Sequence, residues 1–206
     1  MQQPQLPSGY QREIDPQANL PARLQLRLDE WRHNPPTSQF SVYGPMAAYY
    51  HHKFPTSRFL VKPQAFLSPE APPNAPGHHR IDSHGAAVTE TKRYPDFTIC
   101  QYWGADSDEN PRGDVIRVIS EIGTNERDKD TVIRKLEMYL IIAGAIRFDT
   151  HLLGIGQVKN EVFLIENVPN TARVRFRKVF QDWISIFSDD FVHHVNTIRD
   201  FSITRD

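Results

Sequence analysis

The chain has 206 residues and a formal net charge of −1, because 24 Lys and Arg side chains nearly balance 25 Asp and Glu side chains. This balance excludes the strong overall positive field that many tight nucleic-acid binders carry, although it leaves room for one local basic patch. The only cysteine, Cys100, cannot form an intrachain disulfide. Its position in an apolar run predicts a buried, unreactive thiol.

The sequence predicts a protein of the cytoplasm or the nucleus. Its N-terminus lacks the basic segment and apolar core of a signal peptide. The longest apolar stretch, residues 138–146, is too short to span a bilayer. We therefore expect no membrane association, and the sequence leaves the oligomeric state open.

The N-terminal third is predicted to contain one amphipathic helix between shorter elements. Residues 1–16 are rich in Pro and Gln and are expected to form a flexible tail. Over residues 17–33, apolar residues recur at helical spacing and end at an Asn-Pro-Pro sequence. Residues 39–42 and 58–62 are expected to be short strands, with a helical turn at residues 46–52 between them.

The middle of the chain is predicted to supply the centre of a sheet. The Pro-rich residues 68–80 are expected to form an exposed loop. Strands are expected at residues 86–88 and 96–103, followed by an acidic connection over residues 104–113. The continuous β-branched run at residues 115–122 is typical of a central strand that is buried on both faces.

The clearest helix of the sequence follows at residues 129–144, where apolar residues share one face. Residues 152–158 and 162–165 are then expected to pair as strands that turn at Lys159 and Asn160. Together these elements predict an α+β (α/β) fold in which helices flank a central mixed β-sheet with a restriction-endonuclease-like core.

The C-terminal part is predicted to be a helical extension of one domain that spans residues 17–206. A helix capped by Asn170 or Thr171 is expected to have an apolar stripe made of Phe176, Phe180, Trp183 and Phe187. Residues 172–180 also alternate with a period of two, so a strand remains an alternative there. A last short helix is expected over residues 190–199.

Two neighbouring strands of the predicted sheet each contain one carboxylate. Asp96 lies where the first strand begins, and Glu121 lies near the end of the second. Because charges are depleted in strands and are rarely buried without a partner, two such carboxylates suggest a shared partner. The sequence therefore predicts a divalent-cation site, since hard oxygen ligands suit Mg²⁺ or Mn²⁺.

The order of these elements resembles the core of the PD-(D/E)XK, or restriction-endonuclease-like, nuclease superfamily. Pro95-Asp96 corresponds to the first half of its motif and Glu121-Ile122-Gly123 to the acidic half, with Gly123 where the family usually has lysine. The resemblance covers about residues 86–165.

A helix with a Lys-x-x-x-Tyr pattern follows the acidic strand, as in a branch of bacterial restriction-type endonucleases. In this chain the pattern is formed by Lys135 and Tyr139.

The resemblance implies a metal-dependent endonuclease that hydrolyses phosphodiester bonds of DNA or RNA. Asp96, Glu121 and the backbone carbonyl of Ile122 would bind Mg²⁺ or Mn²⁺. Lys135 would replace the missing lysine and stabilise charge on the phosphate, which makes Asp96, Glu121 and Lys135 the expected catalytic residues.

A basic cluster near the C-terminal part has two interpretations. Its members are Arg173, Arg175, Arg177 and Lys178. In one, Arg173, Arg177 and Lys178 contact the phosphates of a bound nucleic acid. In the other, which is favoured, they lie on a solvated helix face that is balanced by Asp182 and Asp189.

Two other functions stay open at this point. Because Gly123 replaces the usual lysine of the family, the same fold would serve as a catalytically inactive binding or regulatory module. An unrelated α+β domain would bind a protein through its Pro-rich segments, and it would require Asp96 and Glu121 to lie far apart. Asp96 would then begin a strand as a turn residue, and Glu121 would pair with Arg127, Lys129 or Lys135.

Overall fold

Four α-helices and seven strands form the part of the chain that the computed structural model describes, namely residue 15 and residues 18–64, 95–101, 115–146, 151–167 and 176–203. The helices are α1 (Ala22–Glu30), α2 (Gln39–Lys53), α3 (Lys129–Ile146) and α4 (Asp189–Ile203). The strands are β1 (Phe59–Pro63), β2 (Phe97–Gln101), β3 (Val115–Gly123), β4 (Leu153–Val158), β5 (Glu161–Asn167), β6 (Phe176–Lys178) and β7 (Ile184–Ser185). No helix within these residues is long and apolar enough to cross a bilayer.

All seven strands join one mixed sheet in the order β1-β2-β3-β4-β5-β6, and β7 also pairs with β5. Strands β3 and β4 are parallel, and the other pairs are antiparallel. The parallel pair needs a crossover, which α3 supplies between the two strands. The predicted α+β fold with a central mixed sheet and flanking helices is thereby confirmed.

Strand β3 is buried on both faces, which explains its continuous apolar sequence. Val118 and Ile122 belong to the larger core cluster, to which α1, α2 and α4 contribute. Ile119 points to the other face and packs in the cluster that contains Leu136 and Leu140 of α3. The sheet therefore separates two cores, and side chains that alternate along β3 meet different helices.

The strand predicted at residues 39–42 is wrong, because these residues are the first turn of α2. Ser38 is the N-cap, and its side chain accepts a hydrogen bond from the Ser41 backbone N–H while the Ser41 side chain accepts one from the Ser38 backbone N–H. Such a reciprocal cap favours helix initiation over an extended backbone. The helical turn predicted at residues 46–52 is the second half of this same helix.

The helix predicted along the aromatic stripe is also wrong. Residues 176–178, which belong to the stretch with period-two alternation, form a strand that pairs with β5. Residues 184–185 form a second such strand, which neither pattern predicted. Phe176 and Trp183 pack against the core beneath α3. A helix here would leave the outer side of β5 unpaired in these segments.

The remaining predicted elements within the described residues are confirmed with shifted ends. Helices α1, α3 and α4, strands β1, β2 and β3, and the β4–β5 pair all occur. The turn between β4 and β5 contains Lys159 in the left-handed region, with φ 54°. The predicted segments 68–80, 86–88 and 104–113 lie outside the described residues.

Asp15, in the segment predicted as a tail, has a completely buried side chain. Its carboxylate lies 2.8 Å from Lys53 Nζ, which is also fully buried, and accepts a hydrogen bond from the Tyr49 hydroxyl at 2.8 Å. Both partners belong to α2. This ion pair ties Asp15 to the core on the α2 face of the sheet.

Candidate active site

The register of β2 and β3 brings Asp96 and Glu121 together. Phe97 pairs with Ser120 in the antiparallel ladder, so Asp96, one residue earlier, lies beside Glu121, one residue later. Asp96 Oδ2 accepts a hydrogen bond of 2.6 Å from the backbone N–H of Ile122. The Asp96 carboxylate therefore links the start of β2 to the end of β3 through this hydrogen bond.

Helix α2 holds the other oxygen of Asp96. Oδ1 accepts hydrogen bonds from Gln39 Nε2, at 3.1 Å, and from the Tyr43 hydroxyl. Gln39 and Tyr43 are four residues apart and so lie on one face of the helix. Burial and the Asp96 carboxylate raise the pKa of Tyr43, so its hydroxyl keeps the proton that it donates.

Burial is also the main influence on the Asp96 carboxylate and raises its pKa. The hydrogen bonds from Tyr43 and the Ile122 N–H, together with the charge of Lys135, act in the opposite direction. These donors fix the orientation of Asp96 and favour its ionised form.

Glu121 is almost completely buried, with 4% of its side chain exposed. Its Oε1 accepts a hydrogen bond of 2.7 Å from Lys135 Nζ. Its Oε2 is buried without a hydrogen-bond partner among the described residues. Burial and the charge of Asp96 raise the pKa of Glu121 to about 7, against the opposing effect of Lys135. The backbone N–H of Asp96 also lowers this pKa. It does not serve as a hydrogen-bond partner of Oε2.

Lys135 reaches the site from the second turn of α3 and keeps half of its side chain in solvent, at 50% exposure. Partial burial lowers the pKa of Lys135, but the charges of Glu121 and Asp96 outweigh it and the net pKa is raised. The ammonium group is therefore charged and accessible beside two carboxylates.

Gly123 lies directly under the start of α3, where no side chain fits. A Cβ atom there would be 2.9 Å from Val132 Cγ2 and 3.0 Å from Asp128 Cβ. A lysine at this position would collide with both neighbours. The ammonium group beside Glu121 is instead that of Lys135 on α3.

The oxygen atoms at this position suit a hard divalent cation. Strand β2 begins at Phe97, so the Ile122 N–H faces the Asp96 carboxylate instead of a strand backbone. Because the N–H and C=O of one residue face the same neighbour in an antiparallel ladder, the Ile122 carbonyl is directed to that side too. The buried, unpartnered Glu121 Oε2 is an oxygen that a cation would satisfy.

No three His, Cys, Asp or Glu side chains cluster as a metal site in the described ranges. The candidate set of two carboxylates, Asp96 and Glu121, and one backbone carbonyl agrees with that finding. It leaves several coordination positions for water or substrate, as Mg²⁺ sites usually do.

The predicted phosphate-binding cluster does not converge on this site. Arg173 lies outside the described residues. Arg177 donates to Glu166 Oε1 at 2.9 Å, and Lys178 Nζ lies 5.3 Å from the ring centroid of Phe163. As consecutive residues of one strand, Arg177 and Lys178 point to opposite faces of the sheet.

Arg177 is also remote from the two carboxylates. The strand pairings place it three strands from β3 and level with Val118. With ordinary strand spacings, this is roughly 17 Å from Glu121. Phosphate binding by these cations stays a prediction that concerns a different part of the surface.

Sequence reasoning missed Gln39 and Tyr43, because it treated residues 39–42 as a strand. The signal was present in the sequence, since Ser38 and Ser41 have the spacing of a reciprocal N-cap. A helix that begins there places Gln39 and Tyr43 on a single face.

An unrelated interaction domain would require Asp96 and Glu121 to lie far apart, whereas the two residues are adjacent. Of the three cations considered as partners for Glu121, it is Lys135 that makes the pair, whereas Lys129 pairs with Glu126 and Glu161.

No family model, no curated protein and no solved structure matches the chain.

Proposed function

We propose that this protein is a metal-dependent nuclease that hydrolyses phosphodiester bonds of DNA or RNA. The observation that carries this proposal is the convergence of Asp96, Glu121 and Lys135 at the end of β3. Lys135 Nζ is 2.7 Å from Glu121 Oε1, and Asp96 is bonded to the backbone next to Glu121. Strands β2 and β3, helix α3 and strand β4 follow one another in the order on which the sequence resemblance to the PD-(D/E)XK superfamily rests.

Asp96, Glu121 and the Ile122 carbonyl would hold Mg²⁺ or Mn²⁺. When bound, such a cation lowers the pKa of a coordinated water and neutralises charge on a phosphate. The residues of the chain supply the rest. Gln39 and Tyr43 hold Asp96 in a fixed orientation, and burial keeps bulk water away from Glu121.

Lys135 stabilises the negative charge that develops on the phosphate. Its ammonium neutralises Glu121 in the absence of a cation. Were Glu121 to hold a cation instead, the half-exposed side chain of Lys135 would be able to turn towards a phosphate oxygen. A charged donor so placed contributes most where charge appears in the transition state.

The test is a cleavage assay with plasmid, single-stranded DNA and RNA, in Mg²⁺, in Mn²⁺ and in chelator. We expect metal-dependent cleavage that Glu121→Gln and Asp96→Asn abolish. Glu166→Gln is the matched control, because Glu166 is also a buried strand carboxylate with a cationic partner, Arg177, but belongs to β5. Cleavage that survives Glu121→Gln, or none in any metal, contradicts the proposal.

A catalytically inactive binding module is the second candidate, and the Lys135–Glu121 ion pair favours it. Lys135 already occupies one oxygen that the cation requires. Titration calorimetry with Mn²⁺, read together with the cleavage assay, separates the two functions. A nuclease binds Mn²⁺ through Asp96 and Glu121 and cleaves, whereas an inactive module fails to cleave whether or not it binds the metal.

A further inference from the structure

Phe40, in the first turn of α2, presents its ring to solvent. The residue is 92% exposed, compared with 43% for Leu60 and 57% for Ile141, the other large apolar residues exposed within the described ranges. Single exposed apolar residues are common, but an almost fully exposed aromatic ring gains none of the burial that usually stabilises it. Its position in the first turn of α2 points to a role in binding.

The ring lies on the helical turn that holds the Asp96 carboxylate. Gln39, the preceding residue, and Tyr43, three residues later, both donate hydrogen bonds to Asp96 Oδ1. Gly44, one helical turn after Phe40, has open space where a Cβ would be, with no atom within 4 Å. The helix surface is therefore open beside Phe40 at Gly44, next to the two residues that hold Asp96.

We propose that Phe40 is a stacking platform for an unpaired base of a nucleic acid bound at the Asp96–Glu121 site. This inference rests on the proposed nuclease function and specifies its substrate class as single-stranded or locally unpaired nucleic acid. Base stacking on an aromatic ring accepts every base, since each has a π-face. Bases inside a duplex are already stacked, so they offer no free face to the ring.

The charge of the protein favours stacking as a source of affinity. With a net charge of −1, the chain cannot depend on an overall positive field to attract a phosphate backbone. Stacking needs no such field. A nucleotide combines a phosphate, which suits a cation site and Lys135, with a base that suits Phe40.

The surroundings of Phe40 favour a base over a protein partner. The flanking residues Gln39 and Ser41 are polar, and Ser41 is exposed. Within the described ranges, Leu60 and Ile141 are the other large apolar residues that are exposed, which is too few for the wide apolar patch that protein interfaces use. A flat base needs only one ring of this size.

The experiment measures binding of the full chain to labelled 12-nucleotide single strands of DNA and RNA and to the matching 12-base-pair DNA duplex, in chelator so that no cleavage occurs. Fluorescence anisotropy gives the affinities, and 2-aminopurine in the single strand reports stacking by quenching. The variants are Phe40→Ala, Phe40→Leu and Phe40→Tyr, with Ile141→Ala as the matched control. Melting temperatures check that each variant is folded.

We expect Phe40→Ala and Phe40→Leu to lose about 5- to 150-fold in single-strand affinity, the range that one stacked base contributes. The 2-aminopurine quenching should disappear in both. Phe40→Tyr should stay within about threefold of wild type because it keeps the aromatic face. Duplex binding and the Ile141→Ala variant should be unaffected.

Three results would overturn the inference: equal single-strand affinity in wild type and Phe40→Ala, retention of affinity in Phe40→Leu, or no binding of any nucleic acid. Retention in Phe40→Leu would point to a general apolar contact, as with a protein partner. If wild type cleaves and Phe40→Ala cleaves single strands with an unchanged KM, only this inference fails. If wild type neither cleaves nor binds nucleic acid, the proposed function fails with it.

Discussion

Glu121 lies between two opposite charges, and its carboxyl group titrates near neutral pH. Asp96 and burial favour the neutral acid, whereas Lys135 favours the anion. The resulting pKa of about 7 is above the ordinary value of 4.5. At neutral pH the metal-free protein therefore contains a mixture of protonated and ionised Glu121.

This raised pKa predicts that Glu121 makes the metal-free protein less stable as pH rises. Between pH 4.5 and 7 the folded state binds more protons at Glu121 than the unfolded state does, so the free energy of unfolding falls through that window. The loss is at most about 3 kcal/mol. Urea unfolding in chelator at pH 5 and pH 8 measures it, with Glu121→Gln as the reference that lacks the titration. Equal pH dependence in both proteins would contradict the prediction.

Gly123 and Gly44 offer a second test at single residues. Gly123→Ala should destabilise the protein by about 1–3 kcal/mol, because its Cβ would lie 2.9 Å from Val132 Cγ2 and 3.1 Å from Val158 Cγ2. Gly44→Ala adds the same methyl group in open space within a helix. It should be neutral or stabilise by up to about 1 kcal/mol. Thermal unfolding compares the two, and equal effects would refute the steric explanation.

Helix α2 shows why sequence reasoning missed part of the site. Its first turn has residues with good strand propensity, and Pro45 inside the helix obscures the helical pattern. The cap at Ser38 and tertiary packing decide in favour of helix. Because the helix was missed, the donors to Asp96 were missed with it.

Other elements could be predicted because one physical signal dominated each of them. The apolar run of β3, the amphipathic face of α3 and the turn at Lys159 each have a single interpretation. In β6 two periodicities competed, and only the pairing with β5 decides between them. Asp96 and Glu121 were found because a carboxylate stands out in an apolar strand.

The α2 donors predict an effect of Tyr43→Phe on metal binding. Removing the hydroxyl takes one hydrogen bond from Asp96 Oδ1 and so weakens both its orientation and its ionised form. Mn²⁺ affinity, measured by titration calorimetry, should fall about 10- to 100-fold. Tyr50→Phe is the control, since its hydroxyl lies on the same helix but donates to Ser120. A loss of equal size in Tyr50→Phe would indicate a general effect of α2.

At the scale of the whole molecule, the sheet separates two cores. The candidate site lies where β2 begins and β3 ends, between the helices of the two cores. Asp96 receives donors from α2, which packs on one face, and Glu121 receives Lys135 from α3 on the other. The geometry of the site therefore depends on both helices being docked. Neither core alone is sufficient to assemble it.

The buried pair of Asp15 and Lys53 predicts a large stability effect from single substitutions. Lys53→Met should destabilise the protein by about 3–5 kcal/mol, because it leaves the Asp15 carboxylate buried without its cation. The double variant Asp15→Leu, Lys53→Met should recover much of that loss. Urea unfolding measures all three proteins. Additive losses in the double variant would show that the two charges act independently.

The same pair determines where the polypeptide tolerates being shortened. A recombinant fragment that starts at residue 17, ahead of α1, would retain the Lys53 ammonium in an apolar interior and discard the carboxylate that neutralises it. We expect such a fragment to accumulate in inclusion bodies, whereas the full chain stays in the supernatant. A boundary chosen from Pro and Gln content alone would thus discard a side chain on which the interior depends.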